Sequence, residues 1–455
     1  MPAPPADLGP TVGGDLVGWL DSHTDYEQAM PTRLGAPTLD RIRELCRLLG
    51  DPERACPVVH LTGTNGKGST ARMLSALFMA QGLTVGTYTS PNLARLNERL
   101  ARNDQPIDDG ELDEVLGALA LIEPLLGARP TRFELLTAAA FRWFADSPVD
   151  VAVVEVGLGG RWDATNVVQP DVVAVTNVSY DHVEVLGPSL EDIAREKAGI
   201  VKPGCHLVLG ETAPTRRDVF LAAAADAPAR ATWVRDREFG CEANRLAVGG
   251  RLVDLRTPAA LYQDVFLALH GAHQGDNAAV ALAAAEAFFG APLATDVVTT
   301  ALGGVTAPGR LEVVGRAPLV LLDGAHNVAG VLALAAALVE LHPAGGAVAV
   351  VGMLHGRDPR AMLEALAAGG VDVVVTCTAP SPRAVPSATI AEAGRAVGLT
   401  TVAAQAVDDA LTLARARVQR DGLLLITGSL YVVAEARRRL ANGSSSYGAG
   451  SLGGP

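Results

Sequence analysis

The chain has 455 residues, of which 49% are hydrophobic and 19% are charged, so it can bury more than one core and two domains are expected. Its formal net charge of −13 argues against a general nucleic-acid binder and against a protein of anionic membrane surfaces. A small anionic ligand stays compatible with this charge, because one loop of an acidic protein can be locally positive.

Cysteine usage and apolar runs indicate a cytoplasmic protein. The five cysteines lie far apart, and no pair has metal-ligand spacing, which is typical of free thiols in a reducing compartment. The N-terminal residues lack the basic-then-apolar order of a signal peptide. The most apolar run, residues 328–341, is too short to span a bilayer and predicts a buried helix. We therefore expect neither a membrane nor a nucleic acid as a partner.

The predicted elements alternate between strands and helices. The first part of the chain predicts strands at 57–63, 83–90, 149–160 and 171–179, with helices at 69–82 and 133–146. A second series of strands is predicted at 317–325, 346–353, 371–378, 400–406 and 422–429. The Gly- and Pro-containing segment 302–310 predicts a hinge between the two series, and residues from 442 onward predict a flexible tail. This rhythm predicts α/β domains with largely parallel sheets that helices cover on both faces.

The stretch VVHLTGTNGKGST (58–70) nearly matches the phosphate-binding loop of ATP and GTP hydrolases. That loop needs a glycine, four free residues and then Gly-Lys-Ser/Thr, whereas here only two residues separate Gly63 from Gly66 and another glycine follows Lys67. The link joins a buried strand to a helix, so backbone N–H groups and the helix dipole would face an anion. A plain glycine-rich turn is the alternative, but three glycines and a lysine at this junction favour a phosphate site.

Polar residues follow two further predicted strands. Glu155 ends an apolar run, where a carboxylate needs a partner such as magnesium, although an ordinary edge carboxylate is the alternative. Asp181 and His182 follow the next strand, and a position beside Glu155 favours a ligand role for His182 over a structural one. By its spacing alone, Lys197 is an ordinary solvated lysine.

The second half of the chain adds more candidates. Asn277 begins an amphipathic helix, where helix capping is the simplest role, and Arg310 lies at the predicted hinge. Asp323, His326 and Asn327 follow a buried strand, on the side where open α/β sheets bind ligands.

These residues stand in an ordered series of motifs, and from about Thr24 to Leu440 the chain resembles the folylpolyglutamate synthase/dihydrofolate synthase family of the Mur ligase superfamily. The motifs are GTNGKGST, the Ser-Pro of TSPNL, EVGLGGRWDATN, DHVEVLG, REKAGI, HQGDNAA, PGRLEVV, DGAHN and TGSLYVV. The superfamily's phosphate loop has a glycine after the lysine, so the near match becomes a variant phosphate loop. The resemblance implies a Mur-ligase-like α/β fold, with a parallel-sheet ATP-binding ligase domain over 1–305, a smaller Rossmann-like domain on the glutamate side over 306–440, and a flexible tail over 441–455.

The resemblance also implies the reaction. ATP phosphorylates a carboxylate, the amine of L-glutamate attacks the acyl phosphate, and phosphate leaves. The acids would be dihydropteroate, which gives dihydrofolate, and tetrahydrofolates, which gain further glutamates. The implied cofactors are ATP, Mg²⁺ at two sites and a carbamate on Lys197, in a monomeric cytoplasmic enzyme.

Each candidate residue receives a role by resemblance. The ATP contacts are Gly63, Asn65, Gly66, Lys67, Gly68, Ser69, Asn277, Arg310 and Asp323, of which the last two would reach across a cleft between the domains. The magnesium ligands are Ser90, Glu155, His182 and the carbamylated Lys197. The pterin-side residues are Thr131, Arg132, Phe133, Glu134, Trp162, Asp163 and Ala164. Candidates for the glutamate pocket are His326 and Ser429, and the catalytic group is Lys67, Lys197, His182 and His326.

Some residues depart from the family pattern near the implied pterin pocket. Asn92 stands where the family often has histidine, and Trp162 and Tyr180 are bulkier than the usual residues. Trp162 offers a flat face for a pterin or aminobenzoate ring, or else it narrows the pocket to a smaller acid. The segment EQAMPTRLGAPTLDR (27–41) matches the family's early pterin-side loop only loosely.

Three alternatives stay open. A ligase for a UDP-linked peptidoglycan precursor normally has a whole nucleotide-binding domain before the phosphate loop, whereas only about 60 residues precede it here. A relative that ligates an amino acid to a non-folate acid would explain the departures. A nucleotide-binding regulatory module without catalysis is disfavoured, because Lys67, Glu155, His182 and Lys197 are all present.

Overall fold

The computed structural model describes residues 15–27, 38–341 and 345–443. These residues divide into two compact units, and the chain passes from the first to the second between Thr306 and Ala307, with Leu269–Ala272 counted in the second. Residues 28–37 of the predicted pterin-side loop and residues 444–455 of the predicted tail lie outside the described part.

The first unit is built on an eight-stranded sheet. Its strands are β1 (Val58–Thr62), β2 (Val85–Tyr88), β3 (Leu100–Arg102), β4 (Gln105–Pro106), β5 (Val151–Glu155), β6 (Val172–Val175), β7 (His206–Leu209) and β8 (Ala231–Val234). The order is β4-β3-β2-β5-β1-β6-β7-β8, and all pairs from β2 to β8 are parallel. Every residue of β1, β5 and β6 is buried, as expected for parallel strands that helices cover on both faces.

The described residues of the first unit form ten α-helices. They are α1 (Leu16–Asp21), α2 (Asp40–Leu48), α3 (Lys67–Ala80), α4 (Asp109–Ile122), α5 (Arg132–Asp146), α6 (Val183–Leu186), α7 (Leu190–Ala198), α8 (Pro214–Asp226), α9 (His273–Phe289) and α10 (Thr295–Gly304). Helices α1, α2, α4 and α5 share one apolar core with Val58, Tyr88 and Val154 of the sheet. Helices α7 and α8 cover β6 and β7, and α3 packs against α9 and α10.

The first unit also contains a separate antiparallel sheet that the sequence did not predict. Its strands are β9 (Gly240–Ala247), β10 (Gly250–Arg256) and β11 (Leu261–Leu267), in the order β11-β10-β9. A tight turn joins β9 to β10, and Val248 at its tip is 100% exposed. Val253 and Leu255 are buried, while Asp254 between them is partly exposed. This alternation of apolar and polar residues along β10 was the sequence signal that could have predicted the strand.

The second unit has a six-stranded sheet with helices between its strands. The strands are β12 (Glu312–Arg316), β13 (Leu319–Leu322), β14 (Ala347–Val351), β15 (Val371–Thr376), β16 (Thr400–Ala403) and β17 (Leu423–Thr427), and the helices are α11 (Val328–Leu341), α12 (Pro359–Ala368), α13 (Ser387–Ala396), α14 (Val407–Arg415) and α15 (Leu430–Gly443). The order is β12-β13-β17-β14-β15-β16, and only β12 runs antiparallel to its neighbour. All five predicted strands are confirmed, and β12 is an additional edge strand.

The predicted α/β organisation with largely parallel sheets is therefore confirmed for both units. Within the three described ranges, no helix is long and apolar enough to cross a membrane.

Candidate active site

Four neighbouring parallel strands of the first unit end at one edge of the sheet, and candidate residues follow each of them. In the order β2, β5, β1, β6, Ser90 follows β2, Glu155 is the last residue of β5, the glycine-rich loop follows β1, and His182 follows β6. Ligands of open α/β sheets bind at the carboxyl ends of the strands. The topology therefore brings these residues to the edge where a ligand is expected.

The loop between β1 and α3 has a backbone that requires glycine. Gly63 and Gly66 have positive φ values of 152° and 85°, and a Cβ at Gly63 would clash with the hydroxyl of Thr176. The Asn65 N–H donates to Asn177 Oδ1 at 3.1 Å, and the Thr176 hydroxyl donates to the Asn65 carbonyl at 2.7 Å. The loop is thus fixed against the segment that follows β6, and it leads directly into the N-terminus of a helix.

Two lysines converge on this loop. The ammonium of Lys67 donates to the carbonyl oxygen of Gly63 at 3.2 Å, and the ammonium of Lys197 donates to the same oxygen at 2.8 Å. Burial, together with the charge of Lys67, lowers the pKa of Lys197 from 10.5 to about 7, although Asp181 and Asp163 oppose the shift. The ammonium of Lys67 and the N-terminus of α3 together make an anion site. Lys197 is buried, so its interpretation as a solvated lysine is wrong.

Helix α9 contacts the loop through its amide side chains. The Gln274 amide donates to the Ser69 hydroxyl at 3.4 Å, and the Asn277 amide donates to Gln274 Oε1 at 3.0 Å. A Cβ at Gly66 would clash with the Asn277 side chain, which therefore lies against the loop. Asn277 is the fifth residue of α9, so the prediction that it begins the helix is wrong, as is a capping role. Sequence reasoning missed Gln274, although it belongs to the HQGDN motif.

The two candidate metal ligands nearest the loop lie on its two sides. Glu155 is buried, and a Cβ at Gly68 would lie 3.6 Å from Glu155 Oε2, so the carboxylate faces the first turn of α3. His182 has a positive φ of 51° and its Nε2 lies 3.6 Å from Oδ1 of the buried Asp181. Among the described residues, no group of three or more His, Cys, Asp or Glu side chains is placed to hold a metal ion.

The two segments that are predicted to lie on the pterin side contact each other. A Cβ at Gly157 would lie 2.6 Å from Phe133 Cζ and 3.2 Å from Asp163 Oδ2, so the start of α5 contacts the loop after β5. Trp162 in that loop is 47% exposed, whereas Ala164 is buried at the start of a 3₁₀ turn. The contact brings Phe133, Trp162 and Asp163 into one region of the first unit.

Other residues of these segments form helix caps and ion pairs that stabilise the fold. Thr131 and Glu134 form a capping box at the start of α5, with the Thr131 N–H 2.7 Å from Glu134 Oε2. Glu134 also pairs with Arg41 at 3.1 Å, and Arg132 donates to Asp21 at 2.8 Å. The sequence could not identify these distant partners, because they depend on how α1 and α2 pack.

In the second unit, candidates meet at the carboxyl ends of β13 and β17. Asp323 follows β13, and its two oxygens accept the N–H groups of Leu311 and Ala325, both at 2.8 Å. Arg310 lies beside this loop, since a Cβ at Gly324 would lie 2.7 Å from its Nη1. The bound carboxylate of Asp323 thereby fixes the backbone that follows Arg310.

The loops after β13 and β17 are joined to each other. The Gly428 N–H donates to the Ala325 carbonyl at 3.0 Å. Nδ1 of His326 lies 2.8 Å from the Gly324 carbonyl, and the buried Ser429 hydroxyl accepts the Tyr431 N–H at 3.2 Å at the start of α15. His326 and Ser429 therefore lie on one edge of the second sheet.

Comparisons with known proteins identify this architecture. The chain matches the Mur ligase middle domain family over residues 128–285 and the Mur ligase, glutamate ligase domain family over residues 309–430. The fold is therefore that of a Mur ligase.

Three similar proteins define the family more closely. The dihydrofolate synthase/folylpolyglutamate synthase of Mycobacterium tuberculosis is 38% identical over 95% of this chain and 97% of its own. A folylpolyglutamate synthase structure from the same organism, complexed with ADP, has a TM-score of 0.87 at 38% identity and covers 93% of this chain and 97% of its own. Escherichia coli FolC in complex with DHPP and ADP has a TM-score of 0.83 at 28% identity, with coverages of 95% and 99%. The chain belongs to the dihydrofolate synthase/folylpolyglutamate synthase family, which confirms the resemblance and the predicted fold class.

Proposed function

We propose that this chain is an ATP-dependent ligase that adds L-glutamate to dihydropteroate and to reduced folates through an acyl phosphate. The observation that carries the proposal is the convergence of Lys67 and Lys197 on the loop before α3. Similar proteins with ADP or DHPP in their structures, and relatives named as dihydrofolate or folylpolyglutamate synthases, support the choice of substrates.

The loop residues perform the phosphate chemistry. Backbone N–H groups from Gly66 to Ser69 and the ammonium of Lys67 bind the phosphates of ATP and stabilise the charge that grows on the transferring group. Asn277 orients the loop, and Arg310 and Asp323 of the second unit are further nucleotide residues. Asn177 and Thr176 hold the backbone of the loop at Asn65, so little reorganisation would accompany the reaction.

The donor set fits magnesium. Ser90 and Glu155 offer the oxygen atoms that Mg²⁺ prefers, and phosphate oxygens and water would complete the shell, with the His182 imidazole as an additional nitrogen ligand. Bound magnesium would neutralise phosphate charge. A second metal ion at this edge would need one more carboxylate beside Glu155.

A carbamate on Lys197 supplies that carboxylate. A neutral amine reacts with CO₂ to give R–NH–COO⁻ and a proton, and a pKa of about 7 leaves about half of Lys197 neutral at pH 7. Protein incubated with ¹³C-bicarbonate should give a carbamate carbon signal by NMR. The signal should be absent from Lys197→Met, whereas a signal of equal strength in that variant would contradict the assignment.

The acid and glutamate sites lie at different parts of the chain. Trp162 gives the ring of the acid a stacking face beside Phe133 and Asp163, and residues Thr131 to Glu134 shape the neighbouring wall. His326 and Ser429 form the glutamate side, at the edge of the second sheet. This division makes residues 1–305 the ATP-binding ligase domain and residues 306–440 the glutamate-side domain of a monomer.

The decisive experiment supplies ATP, Mg²⁺ and L-glutamate with a panel of acids and weighs the products. Glutamylated dihydropteroate and tetrahydrofolate support the proposal. Glutamate-dependent ATP turnover with only a non-folate acid would show that the enzyme is the alternative ligase, which joins an amino acid to a non-folate acid. ATP binding without any product would indicate a regulatory module.

A titration then tests the stacking face. Calorimetry with dihydropteroate, an ATP analogue and Mg²⁺ should show binding that weakens about fivefold in Trp162→Ala, since stacking adds roughly 1 kcal/mol to burial. Leu246→Ala, which removes an exposed apolar side chain from the separate antiparallel sheet, is the matched control and should bind normally. Stronger binding by Trp162→Ala would instead mean that the indole narrows the pocket.

A further inference from the structure

A fully buried histidine that the proposed mechanism does not use lies three residues before Gly63. His60 is in the middle of β1, with 0% of its surface exposed. Its Nε2 lies 2.9 Å from the hydroxyl of Thr165, which belongs to the loop after β5. The strand that leads into the phosphate loop therefore also touches the loop on the pterin side.

The hydrogen bond between Thr165 and Asp163 decides which of His60 and Thr165 is the donor. The Thr165 hydroxyl lies 2.5 Å from Asp163 Oδ1 and donates to that carboxylate, so its oxygen accepts the Nε2–H of His60. In this tautomer Nδ1 has no proton, and no described residue forms a hydrogen bond to it. Burial, with a contribution from the charge of Lys202, lowers the pKa of His60 to about 3. His60 is therefore a permanent neutral donor and has no acid–base role at working pH.

Asp163 also forms hydrogen bonds to other residues of the loop after β5. Its other oxygen accepts the Leu158 N–H at 2.9 Å, and its first oxygen also accepts the Thr165 N–H at 3.0 Å. Burial raises the pKa of Asp163, and these hydrogen bonds oppose that rise. The carboxylate thus closes the loop from Leu158 to Thr165, and Trp162 lies inside it.

The backbone on both sides of Trp162 is held as well. The Arg161 N–H donates to the Glu196 carbonyl at 2.8 Å, and the Asn166 amide donates to the Arg161 carbonyl at 3.0 Å. The indole nevertheless stays 47% exposed. A large aromatic side chain on a fixed loop is preorganised for a flat partner, because little backbone freedom is left to lose on binding.

We propose that His60 is a positioning residue for the acid substrate, and that through Thr165 and Asp163 it fixes the loop that presents Trp162 to the ring of that acid. The inference rests on the proposed function, since it takes the acid to be aromatic. Loss of the His60 N–H would loosen the acid side of the site and leave the phosphate loop, which Thr176 and Asn177 hold independently, in place.

Two pairs of variants test the hydrogen-bonded chain. His60→Leu and Thr165→Val remove it, while His60→Gln keeps an N–H near the position of Nε2 and Thr165→Ser keeps the hydroxyl. The first two should raise the KM for dihydropteroate about tenfold, as expected for one buried hydrogen bond, with the KM for ATP and the kcat within about twofold. The conservative variants should recover most of the loss.

His206→Leu is the matched control. His206 is also a buried strand histidine of the same sheet, and burial lowers its pKa to about 4, but it packs on the ring of Trp233 and not on a site loop. Its variant should lose comparable stability with both KM values unchanged. An equal rise of both KM values in His60→Leu, or the same rise in His206→Leu, would overturn the positioning role.

Native trypsin digestion gives a readout that needs no folate. Cleavage after Arg161, followed by mass spectrometry, should be faster in His60→Leu and Thr165→Val than in the native chain and unchanged in His206→Leu. If the native chain rejects aromatic acids, the proposed function fails but this digestion still tests the loop. If His60→Leu does not fold, Thr165→Val carries the test, and native-like protection at Arg161 in that variant would contradict the inference.

Discussion

Two ammonium groups share one carbonyl oxygen at the phosphate loop. Lys67 and Lys197 both donate to Gly63 O, and the repulsion between them is one cause of the low pKa of Lys197. The charge state of Lys197 therefore depends on the presence of Lys67, and a bound anion would relieve the repulsion.

Removal of Lys67 should abolish catalysis without unfolding the chain. We expect Lys67→Ala to lower the rate of ATP-dependent glutamate ligation by about a thousandfold, because a preorganised charge at the transferring phosphoryl group contributes several kcal/mol. Steady-state kinetics and thermal unfolding check this. Arg72→Ala, on the same helix, is the control and should keep its activity. Near-normal turnover in Lys67→Ala would contradict the phosphate-loop assignment.

Lys197 should make stability depend on pH. Its pKa in the folded chain is about 7, below the ordinary value of 10.5. Between these values the unfolded chain binds a proton that the folded chain does not, so the free energy of unfolding falls as the pH falls from 10.5 to 7, by at most about 1.4 kcal/mol per pH unit. Below pH 7 the slope from this group ends.

The Lys197→Met variant isolates this effect. Urea denaturation in CO₂-free buffer should show that the variant lacks the slope and is more stable than the native chain at pH 7. The two proteins should converge towards pH 10.5, apart from the lost hydrogen bond to Gly63. Parallel pH profiles for the two would mean that Lys197 is not the titrating group.

At the scale of an element, the β12–β13 hairpin depends on one carboxylate. Leu311 has a positive φ of 46°, which costs a non-glycine residue roughly 1–2 kcal/mol, and Asp323 holds its N–H together with that of Ala325. Arg310, the residue before Leu311, lies beside Gly324.

Asp323→Ala should therefore destabilise the chain by about 2–4 kcal/mol, because two N–H groups lose their acceptor. Asp323→Asn keeps one acceptor oxygen and should lose about half as much. Urea denaturation monitored by circular dichroism measures both, with the exposed Asp372→Ala as control. Equal, small losses in all three variants would show that the carboxylate does not hold the hairpin.

The parallel strands could be predicted because each one can be recognised from its own stretch of sequence. β1, β5 and β17 are short apolar runs bounded by glycine-containing loops, and the site residues follow them directly. The antiparallel sheet could not be predicted with the same ease, since Arg251 and Arg256 interrupt the apolar pattern of β10 and its register depends on β9 and β11.

The roles of single side chains were harder to predict than their positions. Glu134 and Arg132 look like free groups in the sequence, but Arg41 and Asp21, about 90 or more residues away, bind them. His60 was overlooked because its hydrogen-bond partner, the Thr165 hydroxyl, is 105 residues away in the sequence. A histidine within an apolar strand gives no indication of such a distant partner.

At the scale of the whole molecule, the second unit has a core of its own. Leu321, Val331, Ala349, Val374 and Leu425 belong to one buried cluster between its sheet and helices. A core of this kind is enough for independent folding of a domain of ordinary size.

A fragment of residues 307–443 should consequently fold alone. It should show an α/β circular dichroism spectrum and a single cooperative thermal transition, since each of its strands pairs within its own sheet. The same fragment with Ala349→Asp, a charge in the middle of β14, is the unfolded control. A featureless melt of the unaltered fragment would contradict the proposed domain division.

The turn between β9 and β10 is a suitable site for attaching a label to the first unit. Burial raises the pKa of all five native thiols, to about 11 for the partly exposed Cys56 and Cys241, so they are poor nucleophiles at neutral pH. Val248 is fully exposed at a turn that carries no residue of the candidate site. Val248→Cys would thus introduce one thiol of ordinary reactivity, through which a single fluorophore or a surface tether could be attached for single-molecule measurements on an otherwise native chain.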